Sequence, residues 1–297
     1  MVTADRSVTR YNLLMLELSR TVRFCLNGPA TAPASKRHNG FAAYPAMRGL
    51  GRYYEMVVNC RGQIDPATGY LINIKQIDEA FATHVLPEFE RLVDGHPTAD
   101  LPMGDLLRRI LERLQNGLHQ TVTGIRLHLT PSYHLIIRSA DMDHLIIREQ
   151  FEFAAAHRLH VPHYSDRQNQ QVFGKCNNPA GHGHNYRLEV VVRAPIDADG
   201  HILELEQLDE LVNRTVIQKL DHKYLNIDVP QFADLNPSVE QIAKVIYEML
   251  CPCIGQLGVE LEEVCLWETA KTSCTYRPDQ CKPGETTGNR NRSATSR

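Results

Sequence analysis

Two histidines flank one glycine at His182-Gly183-His184, inside the run Phe173-Gly-Lys-Cys-Asn-Asn-Pro-Ala-Gly-His-Gly-His184. Side chains two apart on a strand point the same way, so a strand here brings both imidazoles to one ion. Gly183 lets a ligand or another backbone approach closely. A third histidine, His157, closes the run Phe151-Glu-Phe-Ala-Ala-Ala-His157. Three neutral imidazole nitrogens with an open fourth position make a catalytic zinc site rather than a structural one. The triplet alone is equally consistent with a surface turn. Cys176, a short way upstream, shifts the balance towards a reactive centre, although a lone cysteine is more often a small buried hydrophobe.

The remaining cysteines do not add a second metal site. The eight thiols include no paired CxxC spacing, and a chain of 297 residues needs no disulfide scaffold. Reduced thiols are therefore expected, with Cys251-Pro-Cys253 at a helix end. The composition, 42% hydrophobic and 23% charged, is that of a globular protein with a sizeable core. A net charge of −3 without a long basic run argues against a nucleic-acid partner. No apolar run reaches membrane-span length and the N-terminus does not resemble a secretory signal, so a cytoplasmic protein without membrane contact is expected.

The elements that hold these residues occur twice. GLGRYY at 49–54 matches GHGHNY at 181–186, and each is followed by a strand-like run, Met56-Val57-Val58 or Val190-Val191-Val192. Turn sequences follow, Ile64 to Gly69 and Ile196 to Gly200. Each turn is expected to lead into a second strand, Tyr70 to Ile74 or His201 to Leu205, and then into a helix near Gln76 or Gln207. A second helix spans Met103 to Leu114 or Val239 to Leu250, with apolar residues at helical spacing. A strand returns at Gly124 to Leu129 or Glu263 to Trp267. The succession reads as a tandem duplication of an α+β unit with helices on one face of an antiparallel sheet. The seam falls near Ser139 to Asp143, giving domains 1–140 and 141–278. The tail 279–297 lacks the apolar content to pack and is expected to be disordered.

FxxAHRL, FGKCNNPxGHGHNY, LDHKYLN and WET occur in this order over about Ile146 to Arg277. This succession resembles the 6-pyruvoyl-tetrahydropterin synthase family, which includes the 6-carboxytetrahydropterin synthase of queuosine biosynthesis. The resemblance implies tandem tunnelling-fold (T-fold) domains, each a four-stranded antiparallel sheet with two helices on one face. It implies zinc on His157, His182 and His184, with Cys176 as the catalytic cysteine. Asp221 and His222 match the proton-relay pair, and Glu268 matches the carboxylate that anchors the pterin. Glu240 falls in the family's helix-start segment near the pterin pocket, where Ser238-Val239 replaces a more usual Thr-rich pair. Without the resemblance, Asp221-His222 could be a helix terminus and Glu268 a surface residue. The implied activity is a zinc-dependent lyase acting on 7,8-dihydroneopterin triphosphate. It forms a 6-pyruvoyl- or 6-carboxy-tetrahydropterin with loss of triphosphate. The C-x5-HGH spacing is similar to that of the pyruvoyl-forming enzymes, and cysteine rather than glutamate at 176 argues against cleavage to a hydroxymethyl pterin.

The first half lacks the chemistry. Leu50 and Arg52 stand at the positions of His182 and His184, Cys25 at that of His157, Tyr44 at that of Cys176, and Leu129 at that of Glu268. The LDH segment falls near Phe89 to Arg91, without a histidine. A degenerate domain suggests a subunit-interface or scaffold role. The family implies homo-oligomeric rings with active sites between neighbouring domains. Three chains forming one competent ring stacked on one degenerate ring is the simplest expectation, with a four-domain ring from two chains as its competitor. A non-catalytic pterin-binding or scaffold protein is the alternative function. A zinc hydrolase of another fold would need a water-activating glutamate as in HExxH, which the sequence lacks.

Overall fold

The structure is a computed structural model that describes residues 15–27, 39, 41–95, 101–119 and 121–278. The expected disordered tail lies outside them. Its first half runs β1 (Leu16–Leu26), β2 (Arg52–Gly62), α1 (Ile74–His84), α2 (Leu86–Gly95), α3 (Met103–Gly117), β3 (Val122–His128) and β4 (Tyr133–Arg138). The second half opens with β5 (Asp141–His157), α4 (Asp166–Phe173) and a 3-10 turn at Gly174–Asn177. Then come β6 (His182–Pro195), α5 (Leu205–Val212), α6 (Gln218–Leu220), β7 (Lys223–Tyr224) and α7 (Leu225–Asp228). It ends with α8 (Val239–Ile254), β8 (Glu260–Thr269) and β9 (Thr272–Tyr276).

One antiparallel sheet in the order β1-β2-β3-β4-β5-β6-β8-β9 runs through both halves, and the short β7 lies parallel to the end of β5. The connections β1-β2-helices-β3-β4 recur as β5-β6-helices-β8-β9. Alternation along the strands sends Met56, Val58, Ile125, Leu127, Leu145, Ile147, Val190, Val192, Val264 and Leu266 to one face, where all are buried. The helices cover that face with stripes such as Leu106, Leu107, Ile110, Leu111 and Leu114 of α3, and Ile242, Val245, Ile246 and Leu250 of α8. The buried apolar residues of both halves join in one core. The opposite face carries a small cluster of Ile136, Ile146 and Val191 beside the ion pairs of Arg148 with Glu189, at 3.1 Å, and with Glu263.

Three expectations change. The segments expected as second strands of the hairpins, 70–74 and 201–205, are not strands. The turns do close, through Asp65 N–H to Tyr70 O and Asp197 N–H to His201 O, both at 2.9 Å. The chain then runs straight into α1 or α5, and no ladder partner lies beside it. Second, the two four-stranded units are not separate sheets. At the expected seam β4 and β5 form a tight hairpin, pairing from Tyr133↔Glu149 to Arg138↔Asp141. At this junction the edge of β4 is taken by β5 of the same chain.

Third, the alignment of Cys25 with His157 is out of register. Phe24 pairs with Tyr54, and Phe153 pairs with Tyr186. The two ring pairs are alike, with centroids 5.6 and 5.0 Å apart. Tyr54 and Tyr186 are counterparts, so Phe24 matches Phe153 and Cys25 matches Ala154. The counterpart of His157 is residue 28, outside the described residues. A gap in the loop between β1 and β2 can be placed anywhere by sequence matching, and only strand pairing fixes it.

Candidate metal centre and active site

His157 ends β5 and faces His182, its cross-strand partner at the start of β6. His184 follows on the same face two residues later. The three residues each offer a nitrogen within 4.8 Å of the others, and they are the one such group of three potential ligands among the described residues. His157 is fully buried. Its Nδ1–H donates to the carbonyl of Pro237 at 2.7 Å, which leaves the Nε2 lone pair facing the cluster. Nε2 of His157 and Nε2 of His182 lie 3.1 Å apart. Burial pushes His157 down to about 4, aided by the neighbouring imidazoles and opposed by the Pro237 hydrogen bond. Burial and His184 also lower His182, against the pull of Glu268. Both rings are held neutral, the form that ligates a metal. Nδ1 of His182 and Nε2 of His184 are buried without a hydrogen-bond partner.

Glu268 comes from β8, on the same face. Its carboxylate stands 3.5 Å from Nε2 of His157 and 3.9 Å from Nε2 of His184. Cys176 sits in the 3-10 turn after α4, partly exposed. The segment leaving β5 pins that turn. Leu159 N–H donates to Cys176 O at 2.9 Å, and Arg158 donates to Asn177 O and Oδ1 at 3.2 and 3.1 Å. Chain continuity thus carries the thiol's turn against the residues that follow His157.

Asp221 and His222 form a unit of their own. Sequential strand residues would face apart, and a left-handed His222, φ +55°, brings them together. Nδ1 of His222 lies 2.7 Å from Oδ2 of Asp221. Ala154 clamps the pair, its N–H donating to Asp221 at 2.8 Å and its carbonyl accepting from His222 N–H at 2.6 Å. The Ala154 N–H, and then His222, lower the Asp221 carboxyl. The His222 side chain is 83% exposed, and Ala154, which clamps it, lies three residues before His157 on β5. Glu240 is likewise exposed, on the first turn of α8, where the Ser238 side chain lowers its carboxyl. It follows by three residues Pro237, whose carbonyl binds His157.

Sequence reasoning missed several positioning groups. Asn226 brackets Arg158, accepting from its N–H at 2.8 Å and donating to its carbonyl at 2.9 Å. Asn236 accepts from His160 N–H at 2.9 Å. Asn226 lies in the LDHKYLN motif and Asn236 just before the helix start at Ser238, and neither was legible as a backbone clamp. Tyr186 was noted only as part of the repeat. It lies beside the cluster with its phenol pKa raised, first by burial and then by Glu268 and Cys176.

In the first half, Leu50 and Arg52 are exposed, and among the described residues no group of three potential ligands gathers there. Leu129 stands two residues beyond Leu127, as Glu268 stands two beyond Leu266. Leu127 and Leu266 pair with Met56 and Leu188.

Comparison with known proteins falls on the second half. The family model described as 6-pyruvoyl tetrahydropterin synthase matches residues 146–279. The 6-pyruvoyl tetrahydrobiopterin synthase of Drosophila melanogaster is 42% identical over 126 residues, which are 42% of this chain and 74% of that protein. Its Homo sapiens relative is 39% identical over 132 residues, 44% of this chain and 90% of that protein. The solved 6-pyruvoyl tetrahydropterin synthase of Caenorhabditis elegans is 33% identical, with a TM-score of 0.43, covering 46% of this chain and 96% of that one. The chain belongs to the 6-pyruvoyl tetrahydropterin synthase family of lyases.

Proposed function

We propose that the second half is a zinc-dependent lyase that converts 7,8-dihydroneopterin triphosphate to a 6-substituted tetrahydropterin, pyruvoyl or carboxy, with loss of triphosphate. The observation that carries this reading is the convergence of His157, His182 and His184 with the Glu268 carboxylate on one sheet face. The donor set fits zinc. It consists of three imidazoles, one oriented through Pro237 and one with an orphaned buried Nε2. Bound there, zinc supplies Lewis acidity that makes the C–H bonds beside substrate side-chain oxygens easier to ionise.

The chain's own residues account for the rest. Cys176 is the base that takes a side-chain proton as a thiolate. Asp221 fixes Nδ1 of His222, so Nε2 of His222 is the atom that exchanges a proton with the side chain. Glu268 accepts hydrogen bonds from the amidine-like edge of the pterin, and Glu240 is a further pterin contact from the start of α8. Incubation with 7,8-dihydroneopterin triphosphate, with products resolved by mass, tests the reading. A pyruvoyl or carboxy product is expected, and an unchanged substrate would overturn it. The unpaired cysteines among the described residues support a reducing, cytoplasmic setting.

The first half is a duplicated T-fold unit kept for assembly. The sheet ends at β1 and β9. The internal junction of β4 with β5 supplies a template for joining those edges between chains. There Leu135 faces Ile147. The counterpart of Leu135 is Cys274, since Leu135 pairs with Leu127 as Cys274 pairs with Leu266. The counterpart of Ile147, six residues before Phe153, is Leu18, six before Phe24. Both Cys274 and Leu18 pack against the core from the helix side, so the register keeps their faces correct. The β9 edge of one chain then pairs with β1 of a second, placing Ser273 opposite Ser19. Halves alternate in such a ring, and two chains close it as four domains.

A further inference from the structure

Tyr186 follows His182 and His184 on β6 at two-residue spacing and shares their face. It is 1% exposed. Its ring stacks on Phe153 at 5.0 Å and stands edge-on to His184 at 5.6 Å and to His157 at 6.2 Å. Its hydroxyl is sealed from solvent and has no hydrogen-bond partner.

Packing explains the ring but not the hydroxyl. The first half repeats the ring pair in Phe24 and Tyr54 without the histidines, and the Tyr54 hydroxyl is not among the buried unpartnered atoms. Native structures keep few buried polar atoms without a partner. Nε2 of His184 is another such atom in this cluster, and a cation satisfies it. A cation does not satisfy a phenol, which at neutral pH offers a proton and needs an acceptor. Glu268 and Cys176 lie close enough to act on the phenol, yet neither accepts its hydrogen bond, which leaves an oxygen of the ligand as the fitting acceptor.

We infer that the Tyr186 hydroxyl is a substrate-binding donor that hydrogen-bonds an oxygen of the side chain carried at position 6 of the pterin. The inference rests on the pterin-lyase reading above. In that reading Glu268 takes the ring edge, and the side-chain oxygens are the substrate atoms that approach the imidazoles. The phenol moves no proton. It fixes the position of one oxygen, and its hydrogen bond strengthens as negative charge develops there.

Tyr186→Phe removes one oxygen and keeps the ring on Phe153. Fluorescence titration of the zinc-loaded protein compares 7,8-dihydroneopterin with a dihydropterin that lacks a substituent at position 6. In Tyr186→Phe, dihydroneopterin is expected to bind about tenfold more weakly, the unsubstituted pterin equally well, and zinc content to stay unchanged. Turnover should fall about 10- to 100-fold in kcat. Tyr54→Phe should change none of these. Equal weakening of both pterins overturns the inference, because the contact would not be to the side chain. Loss of zinc from Tyr186→Phe also overturns it, because the hydroxyl would then serve the cage. If Tyr186→Phe matches the wild type while Cys176→Ala is inactive, the lyase reading stands and this inference alone falls.

Discussion

Nε2 of His157 and Nε2 of His182 lie 3.1 Å apart across β5 and β6. The Pro237 carbonyl holds the proton of His157 on Nδ1, and burial keeps the ring neutral. Its free lone pair thus faces a second lowered imidazole, with His184 beside both. Three imidazoles gathered this closely present the nitrogens that a shared cation needs.

Replacing either member of the triplet should empty the centre. Wild-type protein is expected to carry about one zinc per chain, because only one half has ligands. His182→Ala and His184→Ala should each lose the metal and reduce turnover by more than ~10³-fold, since the Lewis acid is gone. Metal analysis of the desalted proteins checks this. Zinc retained by the double variant would remove the site from these residues.

Cys176→Ala should separate metal binding from chemistry. Its turn is pinned by backbone contacts with Leu159 and by Arg158, none of which uses the thiol. The variant should fold, hold zinc and lose ~10²–10⁴-fold in turnover, the usual weight of a positioned base. Normal turnover would mean that another group takes the proton.

Glu149 should make stability depend on pH. It lies on the helix side of β5, with Oε2 buried and unpartnered. Burial, and then Asp209 and Glu206, push its carboxyl up from 4.5 to about 7. A raised folded-state value means the favourable protonated form persists only at low pH. Stability is fully present below the unfolded value and is lost as pH rises through about 7. Discounted for partial exposure, the loss is about 1–2 kcal/mol. Glu149→Gln should therefore raise Tm at pH 8 and leave it nearly unchanged at pH 5. Equal shifts at both pH values would rule out the ionisation.

The proposed joint between chains predicts a specific cross-link. Ser19→Cys with Ser273→Cys places two thiols on directly opposed antiparallel residues, where Cα separations of roughly 4.5–5.5 Å suit a disulfide. Mild oxidation should give a covalent two-chain species, while Ser19→Cys alone should not. Light scattering should report a two-chain mass. A three-chain particle would reject this register. So would cross-linking no better than that of an out-of-register control, Glu17→Cys with Ser273→Cys.

Much of the site was legible because its residues are close along the chain. His182 and His184 share a face by strand periodicity alone, and Cys176 is tied to them by a short loop. The Asp221–His222 pair required a turn, which a positive φ at His222 supplies. What periodicity could not give was the exposed placement of His222 and Glu240, because which side of a fold a loop or helix start faces depends on distant packing.

The sequence by itself determined the candidate ligand types, their order, the repeated element pattern and the absence of a matching set of histidines in the first half. Those are local properties, fixed by residue identity and by spacing along one strand. Tertiary structure decided the rest. It merged two expected sheets into one through the pairing of β4 with β5. It also moved the counterpart of His157 away from Cys25. Hydrogen-bond register between distant strands is set by the core that their side chains share, so no local pattern could have fixed it.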